Sequence, residues 1–220
     1  MIRSLVIGAS GGIGGALLAA LALRGEVVGL SRRGDGLDLT DEASVAAVMG
    51  RLAGQFDLAL VATGALEIGG ARPEKSLRAL DGRAMAAQFA LNAIGPALVL
   101  KHLLRLLPKD RVARVGVLSA RVGSIGDNAL GGWYSYRAAK AALNQLVHTA
   151  SIEVARSHPQ AVLVALHPGT VETALTAAHS GGHATVSPDV AAGNLLAVLG
   201  GLQPADSGGF FDWTGARVAW

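Results

Sequence analysis

Short runs of branched apolar residues alternate along the chain with longer Ala/Leu-rich stretches of helical character. Near-continuous apolar runs bounded by glycine or polar residues predict strands buried on both faces. Such runs cover residues 4–7, 27–30, 58–62, 112–119 and 162–167, with a short strand ending at Asp38 and a last one near 209–212. Between them the pattern predicts helices over 12–24, 41–52, 81–107, 134–157 and 188–200. Asp41 reads as a helix N-cap, and Ser187-Pro188 as a cap followed by proline at the first helical position. Strands alternating with helices predict an α/β fold. The expectation is a single doubly wound Rossmann-like domain over residues 1–220, with a mostly or wholly parallel seven-stranded sheet. No Pro- or Ser-rich linker divides the chain, and no internal repeat is visible.

Composition narrows the function classes. The 220 residues suffice for one sizeable core, and 51% hydrophobic against 16% charged residues suits a sheet wrapped by helices. The net charge of +3 is small and the arginines are scattered, so no nucleic-acid partner is expected. No uninterrupted apolar run approaches bilayer length. The best, 16–23, stops at Arg24 and follows glycines rather than a basic segment, so it does not read as a signal peptide. A cytoplasmic protein without membrane contact is the expectation. The absence of cysteine removes disulfides, thiolate catalysis and Cys-metal sites. His102, His148, His158, His179 and His183 lack metal-ligand spacing, so no metal is expected, and His167 reads as packing beside a cofactor.

Three local patterns carry chemistry. Gly8-Ala9-Ser10-Gly11-Gly12-Ile13-Gly14 sits between a predicted strand and a predicted helix. Glycines there allow a tight turn and close approach of phosphate to the N–H groups and positive dipole end of the helix. Alone, the spacing also suits a plain glycine turn. The second predicted strand ends in Ser31-Arg32-Arg33 rather than in a carboxylate, which suits the 2′-phosphate of NADP(H) over NAD(H). Arg32 is the expected main phosphate partner, assisted by Ser31. In Tyr136-Arg-Ala-Ala-Lys140 the phenol and the ammonium share one helix face, where the positive charge is expected to lower the phenol pKa.

With these motifs in order, the chain resembles the short-chain dehydrogenase/reductase family over nearly its whole length. Asp38, in Asp-Leu-Thr, matches the family's adenine-contacting aspartate. Asn92, in Leu-Asn-Ala-Ile-Gly-Pro, matches its helix asparagine, and Pro168-Gly169 with Thr173 match the segment at the nicotinamide end. Ala-Arg-Val-Gly-Ser-Ile, Gly-Gly-Trp-Tyr-Ser-Tyr-Arg and the ending Gly-Gly-Phe-Phe-Asp-Trp-Thr-Gly look like its C-factor/sniffer-like carbonyl reductase branch. The resemblance implies NADP(H)-dependent interconversion of a carbonyl compound and an alcohol. Tyr136 would be general acid in reduction and base in the reverse. Lys140 would also bond the nicotinamide ribose, and Asn92 would keep a helix kink and support a water relay. It implies a cofactor site of Gly8, Ser10, Gly11, Gly12, Ile13, Gly14, Ser31, Arg32, Asp38, Leu39, Ala62, Thr63, Gly64, Tyr136, Lys140, Pro168, Gly169, Val171 and Thr173. Family members usually pair their long helices, so a homodimer or homotetramer is expected.

The chain departs from the pattern where a serine usually bonds the substrate carbonyl. The common Ser-Ser-x-x-Gly becomes Ser119-Ala120-Arg121-Val122-Gly123. Ser124 is the nearest candidate, and Ser119 the second, although strand alternation points it away from the pocket. A smaller departure is Ala62-Thr63-Gly64 in place of the common Asn-Ala-Gly. Leu175 and Val122 suggest an apolar carbonyl substrate, and Gly181-Gly182 a segment that closes when ligand binds. The alternative to an enzyme is a cofactor-binding signalling or regulatory protein with little turnover, an option that Ala120 leaves open.

Overall fold

Branched, buried side chains at the predicted strand positions build a six-stranded, wholly parallel sheet in the order β2-β1-β3-β4-β5-β6. The strands of this computed structural model, which describes residues 2–173 and 184–220, are β1 (Ile2–Ile7), β2 (Gly25–Leu30), β3 (Leu58–Val61), β4 (Arg114–Leu118), β5 (Val162–His167) and β6 (Phe210–Asp212). Helices connect them: α1 (Gly12–Ala22), α2 (Arg32–Asp35), α3 (Glu42–Gly50), α4 (Gly82–Phe89), α5 (Gly95–Leu103), α6 (Tyr134–Ser157) and α7 (Pro188–Gly201). Such a Rossmann-like α/β fold is the predicted class.

Side-chain alternation along the strands splits the core in two. Val6, Leu60, Val164 and Leu166 face α1 and α7, packing on Leu17, Leu21, Leu195 and Leu199. Ile7, Val61, Val117 and Leu163 face the other helices, packing on Val45, Val99, Leu143 and Val147. Each such fully buried aliphatic side chain contributes about 1.5–3 kcal/mol by leaving water.

The seventh strand is not formed among the described residues. Ser31 caps the short helix α2 by accepting from the N–H of Gly34 at 3.0 Å, and Gly36 ends it in the left-handed conformation at φ 72°. Leu37 and Leu39 still bury their side chains, at 3% and 5% exposure, without a ladder. The predicted helix over 81–107 forms as a composite. A π-helical segment (Ala90–Ile94) separates α4 from α5, and a 3-10 turn (Leu104–Leu106) ends the run. Asp41, Asp81 and Ser187 cap α3, α4 and α7 through their side chains.

The composite run Gly82–Leu106 is long and apolar enough to cross a membrane by length and composition, although no uninterrupted apolar stretch of that length exists. Its Val99, Leu103 and Leu106 are buried in the core beneath the sheet.

The order β2-β1-β3 means that the chain passes from β1 to β2 on one side and then crosses over to β3 on the other. This topological switch opens a crevice at the carboxyl ends of β1 and β3, the place where open α/β sheets bind ligands.

Candidate active site

A cleft of about 770 Å³ occupies that crevice. Its walls come from Gly11-Gly12-Ile13 after β1, Ala62-Thr63-Gly64 after β3, Ser119-Ala120-Arg121 after β4 and His167-Pro168-Gly169 after β5. Tyr136 and Lys140 project from α6, and Val171 and Thr173 also line it. The structure therefore brings the glycine loop, the Tyr/Lys pair and the Pro-Gly turn to one space.

Close backbone approach explains the glycines. A Cβ on Gly14 would collide with the carbonyl of Gly8, so α1 could not start so near the loop. At Gly64 (φ 148°) a Cβ would lie 2.8 Å from Asn92 Oδ1 and 3.4 Å from Lys140 Nζ. The N-cap of α1 is Gly11, which offers no side-chain cap. The first N–H groups of that helix therefore face the cleft without the usual side-chain acceptor.

Tyr136 and Lys140 are 8% and 2% exposed. The ammonium Nζ donates to the carbonyl of Leu118 at 3.0 Å and lies 5.9 Å from the centre of the Tyr136 ring. Burial pushes the lysine pKa down to about 8. Burial also pushes the Tyr136 phenol up. This corrects the expectation that Lys140 lowers the phenol: at this buried position on the cleft wall, desolvation of the phenolate dominates. Protonated phenol and protonated lysine therefore coexist below about pH 8.

Asn92 is fully buried inside the π-helical segment. Its Nδ2 donates to the Ala65 carbonyl at 2.9 Å and to Gln88 Oε1 at 2.6 Å, while Oδ1 accepts from the Ala65 N–H at 3.1 Å. The side chain thus ties the π-helical segment to the loop after β3.

The serines fall differently. Ser119 lines the cleft, but its hydroxyl donates to Asn144 Oδ1 at 2.6 Å, toward the α6 side of the sheet as alternation predicts. Ser124 is 2% exposed and its Oγ accepts from the N–H of Asp127 at 3.1 Å. It is not among the described residues lining the cleft, whereas Ala120 is.

At the far end of β2, Ser31 and Arg32 lie outside the lining of the main cleft. Arg32 is exposed, and its charge together with the hydrogen bonds from Thr40 holds the Asp38 carboxyl below its usual range, the Thr40 bonds contributing most. Asp35 was not anticipated here: its Oδ2 accepts from the Ser31 N–H at 2.7 Å. Leu39 packs under the start of α5, where a Cβ on Gly95 would lie 2.7 Å from its own. Ser10 is exposed on the loop after β1.

The role of Glu74 escaped sequence reading. Glu74, 7% exposed, accepts from the N–H and hydroxyl of Ser135, the backbone N–H at 3.2 Å. It acts as a cap supplied from another part of the chain, since the N-cap residue of α6 supplies no side-chain capping bond to its own helix. The Glu74 carbonyl accepts from the N–H of Trp133 at 2.6 Å. Trp133 sits at φ 52°, a left-handed conformation costing about 1–2 kcal/mol for a residue with a side chain. Its ring stands edge-on to Tyr136, with centroids 6.4 Å apart. His167 is pushed down to about 4 by burial and packs edge-on to Trp213, consistent with a wall residue. No metal cluster exists among the described residues. Leu175, His179, Gly181, Gly182 and His183 lie outside the described residues.

Comparison with known proteins gives concordant matches. A short-chain dehydrogenase/reductase family model described as enoyl-(acyl carrier protein) reductase matches residues 10–203. The chain is 31% identical to 1-hydroxy-2-glutathionyl-2-methyl-3-butene dehydrogenase of Rhodococcus sp. (strain AD45) over 233 aligned positions, covering 100% of both. It is 40% identical to the C-signal of Myxococcus xanthus over 143 positions, 64% of this chain and 81% of that protein. Among solved structures, NADPH-bound carbonyl reductase from chicken fatty liver superposes with a TM-score of 0.81 at 28% identity, covering 99% of this chain and 98% of that one.

Proposed function

Because the chain belongs to the short-chain dehydrogenase/reductase family, a family of oxidoreductases, we propose that it interconverts a small carbonyl compound and an alcohol with NADP(H), favoured over NAD(H). The observation that carries this reading is the placement of Tyr136 and Lys140, both buried, on the wall of the same cleft as Gly11-Gly12 and Pro168-Gly169. The residues fit the cofactor: the glycines leave a cradle that a Cβ at Gly12 would fill, meeting Thr173 at 2.8 Å. Bound NADPH would supply the hydride to the carbonyl carbon.

This chain's residues supply the rest. Tyr136, held protonated by burial, donates its proton to the carbonyl oxygen as the C=O bond becomes C–OH. Lys140 stabilises the phenolate that remains and holds the cofactor ribose. Asn92 supports the proton route to Lys140 through the π-helical segment. The N-terminus of α1, with Gly8, Ser10, Gly12, Ile13 and Gly14, receives the pyrophosphate. Ser31 and Arg32 receive the 2′-phosphate, Asp38 and Leu39 the adenine, Ala62, Thr63 and Gly64 the adenosine ribose, and Pro168, Gly169, Val171 and Thr173 the nicotinamide. With Ser124 turned onto Asp127 and Ser119 onto Asn144, the site runs without a serine on the substrate oxygen.

The test is to titrate the protein with NADPH and NADH and then follow NADPH consumption with aldehydes, ketones and quinones. Tighter NADPH binding and turnover of some members are expected. A second reading is a cofactor-binding signalling protein with little turnover, favoured by Ala120 at the serine position and by the likeness to the C-signal. NADPH binding without turnover across the panel would select it.

A further inference from the structure

Charges on the cleft wall do not balance. Among the described lining residues, Arg121, Arg137 and Lys140 face a single carboxylate, Asp127. Arg121 takes it, donating from Nε to Oδ2 at 2.6 Å, and its Nη1 also lies 3.8 Å from the Asp212 carboxylate. Lys140 is buried against the Leu118 carbonyl beside Tyr136. The cation left over is Arg137, the neighbour of Tyr136 in sequence.

Among the described residues, Arg137 bonds only neutral groups. Its Nε donates to the carbonyls of Gly131 and Gly132 at 3.2 and 3.0 Å, and Nη1 to that of Val122 at 3.2 Å. No carboxylate of the described residues pairs with it, and burial pushes the guanidinium below its usual range. A guanidinium carries five N–H donors in a fork that matches a carboxylate, and Nη2 makes no bond among the described residues. A partly desolvated cation without a counter-ion is costly, and an anion delivered by a ligand removes that cost. The cleft that it lines also carries the apolar side chains of Leu66, Val122, Leu130 and Trp133.

We propose that the substrate of this site is an apolar carbonyl compound or alcohol bearing a carboxylate, and that Arg137 receives that carboxylate while Tyr136 serves the reacting oxygen. The inference rests on the oxidoreductase reading above and adds the substrate class. Arg137 has a second duty, since its bonds to Val122, Gly131 and Gly132 brace the substrate-side loops; the experiment must separate the two.

Matched pairs do so. The ratio of kcat/KM for 4-formylbenzoate to that for methyl 4-formylbenzoate is measured with NADPH at low and high salt. The expected ratio is about 10 or more in the wild type, falling as salt screens the pair. Arg137→Met should collapse it toward one, through KM of the acid, and Arg137→Lys should restore part of it. Calorimetry of the NADP-loaded protein with cyclohexanecarboxylate and cyclohexanecarboxamide should show the same preference. A wild-type ratio near one, or a ratio unchanged in Arg137→Met because both substrates decline together, overturns the proposal. If Arg137→Met does not fold, the wild-type ratio and Arg137→Lys decide. If no carbonyl compound is turned over, the oxidoreductase reading fails, and the calorimetric preference alone decides whether Arg137 binds carboxylates.

Discussion

The Ser119 hydroxyl donates to Oδ1 of Asn144 at 2.6 Å, locking the end of β4 to α6 one helical turn beyond Lys140. Both groups are buried, so Ser119→Ala leaves the Asn144 oxygen unsatisfied, at a cost of about 1–3 kcal/mol. Chemical denaturation should show that loss. Ala120→Ser should act oppositely on catalysis, by placing a hydroxyl on the cleft wall where a serine usually bonds the carbonyl oxygen. A well-placed donor to a developing oxyanion is worth about 100- to 1,000-fold, and a rise in kcat of about tenfold or more is expected in steady-state assays.

Asp35 sets a negative charge against Ser31, beside the proposed 2′-phosphate site. Asp35→Asn keeps an acceptor for the Ser31 N–H and removes the charge, so NADPH should bind severalfold more tightly with NADH unchanged. Arg32→Ala should weaken NADPH by about 10-fold or more, the value of a charge-assisted bond, again sparing NADH. Fluorescence titration with both cofactors reads each shift.

The Glu74 carboxylate holds the start of α6 through Ser135, two residues after the left-handed Trp133 whose N–H the Glu74 carbonyl accepts. Glu74→Ala should cost about 1–3 kcal/mol of stability and raise KM more than it lowers kcat, because Trp133 lines the cleft while Tyr136 is also anchored by the rest of its helix. Glu74→Gln should recover most of the loss. Parallel thermal melts and steady-state kinetics check both.

Lys140 titrates near 8, so the reductive rate should be flat below that pH and fall above it as the ammonium is lost. Stability moves the other way. A lysine whose folded pKa lies below its unfolded value binds fewer protons when folded, so its contribution to stability rises as pH increases from about 8 toward 10.5. A pH–rate profile and denaturation at each pH together test the opposed signs.

Much of this arrangement is legible in the sequence because it is local. The apolar runs for β1, β4 and β5, the start of α6 at Tyr134 and the caps Asp41 and Ser187 depend on neighbours within a turn or two. The strand expected before Asp38 failed for a local reason too: Ser31 and Gly36 are a helix cap and a helix stop, and Leu37 and Leu39 satisfy their burial without a ladder. Ser31 with Asp35 four positions on could have signalled that helix. Glu74 was not legible, since its partner Ser135 lies 61 residues away and a lone glutamate announces nothing. Nor was the rise of the Tyr136 phenol, which follows from burial of the residue in the fold rather than from the lysine one turn along. Alternation did turn the Ser119 hydroxyl toward the α6 side of the sheet, but only the fold shows Asn144 receiving it.

The most direct test is Tyr136→Phe, which removes only the phenolic oxygen. With a carbonyl compound that the wild type reduces, kcat should fall by about 10²–10⁴-fold while the dissociation constant for NADPH stays within a few-fold. Turnover close to wild type in Tyr136→Phe would contradict the assignment of the proton donor, and with it the account of the site.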